Sequence, residues 1–175
     1  MKIIVVAGMP GTGKEELLSV AESMNIPYVR MGDTVREFYS ISPENTKMSI
    51  GEFASSERKK FGNYIWAERT IEKMNGRMFL IDGCRSIEEV RSFKELGGDV
   101  VIIGIHSPPN KRYERLVKRG RDDAPRNLDD FNQRDSRENS WGLAEVLALS
   151  DIMLVNDSSL EDFRSLSEKT LKGLK

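Results

Sequence analysis

The run Gly8-Met9-Pro10-Gly11-Thr12-Gly13-Lys14 carries the strongest chemical signal in the chain. Glycines at these spacings let successive backbone N–H groups turn toward one centre, an arrangement that cups an anion. A helix opening at Lys14 adds the partial positive charge of its N-terminus, and the Lys14 ammonium adds a full charge aimed at terminal phosphates. The bland alternative is a glycine-rich turn with a solvated lysine. Against it stand an apolar strand pattern directly before the run and a helical pattern directly after it, the context that a phosphate loop needs. Glu15 and Glu16 follow where a hydroxyl that touches Mg²⁺ is common. Glu15 either ligates Mg²⁺ or one of its waters, or it is a surface residue that favours the helix start.

Further polar residues fall at the ends of apolar runs. Asp82 closes Phe79-Leu80-Ile81-Asp82-Gly83. In an open parallel sheet the carboxyl ends of strands are where ligands sit, so an Asp there can hold Mg²⁺ beside a phosphate loop; a turn-forming Asp before Gly is the alternative. Arg36 lies in Gly32-Asp33-Thr34-Val35-Arg36. Its guanidinium offers a planar fork to phosphate oxygens; otherwise Asp33 caps a helix and Arg36 is solvated. The stretch 111–137 is dense in arginine and has no dominant apolar stripe between Gly120 and Asn127. It reads as an exposed, mobile flap, with Arg134 and Arg137 on one helical face. Guanidiniums closing over a transferring phosphoryl group would stabilise its charge and expel water. A solvated helix is the alternative there. Cys84 reads as a small buried residue, and His106, without a partner at ligand spacing, as structural.

The elements that must position these residues follow from apolar periodicity. Strands are expected at Lys2–Ala7, Tyr28–Met31, Arg77–Ile81, Val100–Ile105 and Asp151–Val155; the near-continuous Ile, Val, Leu and Met of the first, fourth and fifth suit strands buried on both faces. Helices are expected over 14–24, over 49–74 with a break at Gly62, and over 110–119, 128–149 and 159–172. Ser49 with Glu52, Ser86 with Glu89 and Ser158 with Glu161 have capping-box spacing. Strands alternating with helices predict an α/β fold, a five-stranded parallel sheet in three layers. Residues 33–74 show helices without a strand and read as a helical insertion, and 119–137 as a short lid.

The 175 residues suit a single domain, residues 1–175. With 27 Lys and Arg against 28 Asp and Glu, there is no basic surplus for a dedicated nucleic-acid binder. One Cys and one His exclude an internal disulfide and argue against a zinc site. The apolar run Ile3–Ala7 is too short for a signal peptide or membrane span, so a cytoplasmic protein with no membrane partner is expected. Oligomeric state is not legible.

Gly8-x-Pro-Gly-x-Gly-Lys14 resembles the phosphate loop of adenylate kinases and related P-loop nucleoside monophosphate kinases. Gly32-Asp33-x-x-Arg36 is similar to a segment that grips the acceptor phosphate in that family. Asp82-Gly83-Cys84-Arg85 resembles another such segment but is one residue shorter. Arg115-Leu116-Val117-Lys118-Arg119-Gly120 looks like the entry to a short lid, after which Arg121-Asp122-Asp123 and Arg126-Asn127-Leu128-Asp129-Asp130 both approximate the lid pattern. The segment 150–160 is similar to the last strand and helix of dephospho-coenzyme A kinases, where the loop lies by the adenine. The resemblance implies ATP held by Gly8, Met9, Pro10, Gly11, Thr12, Gly13, Lys14, Glu15, Glu16 and Asn156, with a turn-forming Asn156 as the alternative. It further implies Mg²⁺ at Asp82 and Glu15, an acceptor held by Asp33, Arg36 and Arg85, and Lys14, Arg119, Arg134 and Arg137 acting on the transferring group. The expected activity is Mg²⁺-dependent phosphoryl transfer from ATP to a small acceptor, first a nucleoside monophosphate. Dephospho-coenzyme A and a nucleotide-binding switch with little turnover are the alternatives.

Overall fold

A computed structural model describes residues 1–74, 76–121 and 124–175. Asp122 and Asp123, part of one expected lid segment, lie outside the described residues. Five parallel strands form one sheet: β1 (Lys2–Gly8), β2 (Tyr28–Arg30), β3 (Met78–Asp82), β4 (Asp99–His106) and β5 (Ile152–Val155), in the order β2-β3-β1-β4-β5. Helices among the described residues are α1 (Lys14–Ser23), α2 (Met31–Ile41), α3 (Ile50–Phe61), α4 (Ile65–Ile71), α5 (Ile87–Glu95), α6 (Pro109–Arg119), α7 (Leu128–Ser140), α8 (Leu143–Ala148) and α9 (Leu160–Leu174). This is the α/β P-loop kinase-like architecture expected from the sequence.

The alternation of β1 explains the three layers. Ile3, Val5 and Ala7 pack on one face with Val90 and Phe93 of α5, Trp66 of α4 and Leu143 and Val146 of α8. Ile4 and Val6 pack on the other with Leu17 and Leu18 of α1 and Phe163 and Leu171 of α9. A strand covered on both faces needs apolar residues at every position, which is why β1 reads as a continuous apolar run. The helices between β2 and β3 extend this first core away from the sheet. Trp66 is fully buried there, edge-on to Phe38 at 6.1 Å, and its indole N–H donates to the Ala54 carbonyl at 3.3 Å.

Several boundaries differ from the periodicity. Met31 begins α2 instead of ending β2, because its side chain is buried in the core that α2 covers. The segment 128–149 is two helices: Gly142, at φ +105°, breaks it in a left-handed turn that a residue with a Cβ rarely adopts. The break at Gly62 stands where it was expected, at φ +103°. Capping boxes at Ser49 with Glu52 and Ser86 with Glu89 form, but the third is Ser159 with Asp162, one residue later than expected. Its N-cap hydroxyl accepts from Asp162 N at 3.1 Å, a role Asp fills as Glu does elsewhere. Cys84 is buried; His106, read as structural, has an exposed side chain, and its carbonyl accepts from Asn156 N at 2.8 Å.

A buried ion pair fixes α3 against α5. Arg58 Nη2 donates to Glu89 Oε1 at 2.5 Å, with side chains 3% and 0% exposed. The other Glu89 oxygen accepts from Arg85 N at 2.6 Å and Ser86 N at 3.2 Å. Removing one partner of such a pair strands a charge away from water. Glu89→Ala is expected to lower stability by about 3–5 kcal/mol in urea unfolding, and a surface-like loss below about 1 kcal/mol would show that the pair is not desolvated.

Candidate functional site

The carboxyl ends of β1, β2 and β3 bring Gly8, Arg30 and Asp82 to one edge of the sheet; in the ladder Asp82 lies opposite Val6 of β1 and Arg30 of β2. From Gly8 the chain turns through residues 9–13 into α1. The turn is held from inside and from behind. The Thr12 hydroxyl, buried, donates to the Met9 carbonyl at 2.9 Å. Asn156 Nδ2 donates to the Thr12 carbonyl at 2.8 Å. Arg112 Nη1 donates to the Pro10 carbonyl at 3.1 Å, and Arg115 Nη1 to the Gly11 carbonyl at 3.4 Å. With its carbonyls occupied from behind, the turn is preorganised. Gly11 and Gly13 have φ +82° and +103°; a Cβ on Gly11 would strike the backbone carbonyl of Arg112 at 2.8 Å, and one on Gly13 the Asn156 Nδ2 clamp at 2.2 Å.

A cleft of about 700 Å³ opens over this turn, lined by Gly8, Pro10, Gly11, Gly13, Lys14, Glu15, Glu16, Asp82, Arg85, Arg119 and Asn156 among others. Met9 and Thr12 are not in its lining; they serve the loop from within. Lys14 folds back, its ammonium donating to the carbonyls of Gly8 at 2.6 Å and Met9 at 3.2 Å. Burial lowers its pKa against the opposing pull of Asp82 and Glu138. Asp82 shows the mirror effect: burial pushes its carboxyl up, although Lys14 and Arg85 draw it down. Its Oδ1 is buried without a hydrogen-bond partner among the described residues. An orphaned carboxylate oxygen beside a phosphate loop fits Mg²⁺, which binds through one or two carboxylates plus substrate phosphates. Glu15 meets Arg30 at 2.9 Å and Arg121 at 3.4 Å, and Glu16 meets Arg164 of α9 at 2.7 Å.

A second cavity of about 470 Å³ lies between α2, α3 and α7, lined by Val35, Gly51, Ala54, Arg58, Arg137 and Trp141 among others. It shares Gly32, Arg36, Arg85, Arg134 and Glu138 with the cleft. Asp33 lines neither; it pairs with Arg36 at the exposed start of α2. Arg137 lines only the second cavity, 5.9 Å from the Trp141 ring centre and against Gly51. Arg85 lies 5.4 Å from the same ring, and its Nε donates to Glu138 Oε2 at 2.5 Å.

Four residues of this site carried no sequence signal: Arg30, Arg112, Asp135 and Glu138. Arg112 is buried, stacked 4.8 Å from Phe131, and forks onto Asp135 at 3.0 and 2.5 Å while holding Pro10. One guanidinium thus ties α7 to the phosphate loop. Arg115 stood in a recognisable segment but had no role assigned; it clasps Ser107 and Asn156.

Gly13→Ala must either displace the Asn156 amide or strain φ. It is expected to lower stability by about 1–3 kcal/mol in urea unfolding, with the resonances of 8–14 displaced in an NMR spectrum. A wild-type midpoint would mean that the Asn156 clasp is not tight.

In fold, the chain resembles TT1252 from Thermus thermophilus, with a TM-score of 0.66 and 15% identity, covering 99% of this chain and 97% of that one. A gluconokinase from Sinorhizobium meliloti 1021 follows at TM-score 0.60 and 16% identity, covering 99% and 93%. In sequence, a UPF0200 protein of Thermoplasma volcanium is 45% identical over 172 residues, 97% of this chain and 96% of its own length. A UPF0200 protein of Hyperthermus butylicus is 43% identical, covering 98% of this chain and 94% of its own length. The family described as AAA domain matches residues 4–141, from β1 through the phosphate loop to Trp141. The chain belongs to the AAA domain family and to the UPF0200 proteins that it matches over nearly its whole length.

Proposed function

We propose that this protein binds ATP at the phosphate loop and transfers its terminal phosphoryl group to a small acceptor held in the second cavity. The observation that carries the reading is that the two cavities are neighbours with lining residues in common. A cleft headed by Lys14 and a second chamber meet along Gly32, Arg36, Arg85, Arg134 and Glu138. Two substrates held there would face each other across a strip of charged side chains, the proximity that phosphoryl transfer needs.

In this reading the phosphate-loop amides and Lys14 hold the donor phosphates. Asp82 is the residue that would hold Mg²⁺, with Glu15 as a further candidate. The ion's chemistry is neutralisation of the charge on the donor's bridging and terminal oxygens. Arg36 and Arg85 orient the acceptor. Arg119 and Arg134 at the cleft, and Arg137 from the second chamber, gather on the transferring group as 119–137 closes. Asn156 acts through the loop it clamps rather than by direct contact with the base. The resemblance of Gly32–Arg36 to nucleoside monophosphate kinases makes a nucleoside monophosphate the first acceptor to assay. The likeness of 150–160 to dephospho-coenzyme A kinases supplies a hydroxyl-bearing alternative.

A nucleotide-dependent switch with little turnover is a second reading, favoured by one observation. No hydroxyl follows Lys14, and the carboxylates there are engaged by Arg30, Arg121 and Arg164. ATP binding without transfer to any acceptor would decide for it.

Lys14→Ala removes the only lysine at the loop. Charge-assisted contacts of this kind contribute about 1.5–3 kcal/mol, so ATP affinity measured by calorimetry should fall at least ~10-fold. Unchanged affinity would remove the phosphate-loop assignment. Arg36→Ala should raise the KM for the acceptor and leave ATP affinity near wild type; equal weakening of both ligands would place Arg36 in the donor site instead.

A further inference from the structure

A single carboxylate stands at the junction of the two chambers. Among the described residues, Glu138 is the only acidic side chain lining both the phosphate-loop cleft and the second cavity. Its side chain is 6% exposed. Arg85 Nε donates to Oε2 at 2.5 Å. Burial pushes the carboxyl up, but Arg85, Lys14 and Arg134 hold it below its ordinary value. At neutral pH it is a fixed negative charge at the place where donor and acceptor meet.

That charge discriminates between two kinds of acceptor. The attacking oxygen of a phosphate is already unprotonated and negative; it needs no proton acceptor and meets Glu138 as a like charge. A hydroxyl needs what Glu138 supplies, an acceptor that orients its O–H and takes its proton. In a loose transition state the proton leaves late, so a weakly basic carboxylate is sufficient.

We propose that the acceptor is an alcohol and that Glu138 orients its hydroxyl and receives its proton, a proposal that rests on the phosphoryl-transfer reading above. The alcohol oxygen forms a bond to the γ-phosphorus of ATP as the bond from that phosphorus to the β,γ-bridging oxygen breaks. The electron pair of the broken bond leaves with ADP. The hydroxyl proton passes to the Glu138 carboxylate and, after product release, to water. Arg85 keeps the carboxylate in place and ionised between turnovers.

The test uses the full chain with ATP and Mg²⁺ and two sets of acceptors: the alcohols glycerol, gluconate, adenosine and dephospho-coenzyme A, and the nucleoside monophosphates. Phosphorus NMR separates a phosphate ester from a phosphoanhydride in the product. A phosphate ester is expected. Glu138→Gln keeps the side-chain shape and should lower the single-turnover rate ~100-fold or more with unchanged ATP affinity, and Glu138→Asp should restore part of the rate. Should no member of the panel react, water is the hydroxyl acceptor, and the slow hydrolysis of ATP by wild type and Glu138→Gln is compared. A slower variant supports the proposal and equal rates overturn it. A phosphoanhydride product, or full turnover by the glutamine variant, overturns the alcohol assignment and leaves ATP binding standing. Wild-type protein that fails to bind ATP overturns both. The class of product is read on the wild type, so a misfolded variant does not spare the proposal.

Discussion

Charge compensation at the carboxyl edge of the sheet is the constraint on which the site depends. Lys14, Asp82, Arg85 and Glu138 are brought together in partly or largely buried positions along one cleft, where an unpaired charge is costly. Each comes from a different segment: the start of α1, the end of β3, the loop after it, and α7. Burial drives the Lys14 pKa down and the Asp82 carboxyl up, while Arg85 keeps Glu138 low.

The supporting shell is built from arginines that touch backbone. Arg112 and Arg115 on α6 bind carbonyls of the phosphate loop. Arg112 also forks onto Asp135, so α7, which bears Arg134, Arg137 and Glu138, is registered against that loop by a buried cation. Arg58, paired with Glu89 and 4.8 Å from the Trp141 ring, registers α3 and α5 against the far end of α7. Planar guanidiniums suit this work because each offers several donors in a fixed plane, and those of Arg58 and Arg112 also lie against an aromatic ring. The α/β core supplies the edge, and these arginines set the helices over it.

The sequence alone determined the parts whose signals are local. The phosphate loop is read from glycine spacing between a strand and a helix, because a left-handed turn and close backbone approach demand those residues in that order. The sheet is read from continuous apolar runs, and two capping boxes from spacing three residues apart. Asp82 was legible because a strand has one end at which a ligand edge forms. Element ends slipped by a residue or two, and 128–149 read as one helix, because periodicity does not register a single glycine at φ +105°.

Only the tertiary structure decided which charges meet. Arg85 and Glu138 are separated by 53 positions and Arg112 and Asp135 by 23, and on the sequence Glu138 and Asp135 carry no signal of their own in a charged helix. Nothing within one turn of α7 distinguishes a glutamate that faces the cleft from one that faces water. That distinction is made by the packing of α7 against α8 and by Arg112 from α6. Asn156 likewise reads locally as a turn residue, but its amide crosses to Thr12, far away in the chain. Helix and strand formation depend on near neighbours, whereas the desolvation that makes a charge matter depends on which segments fold over it.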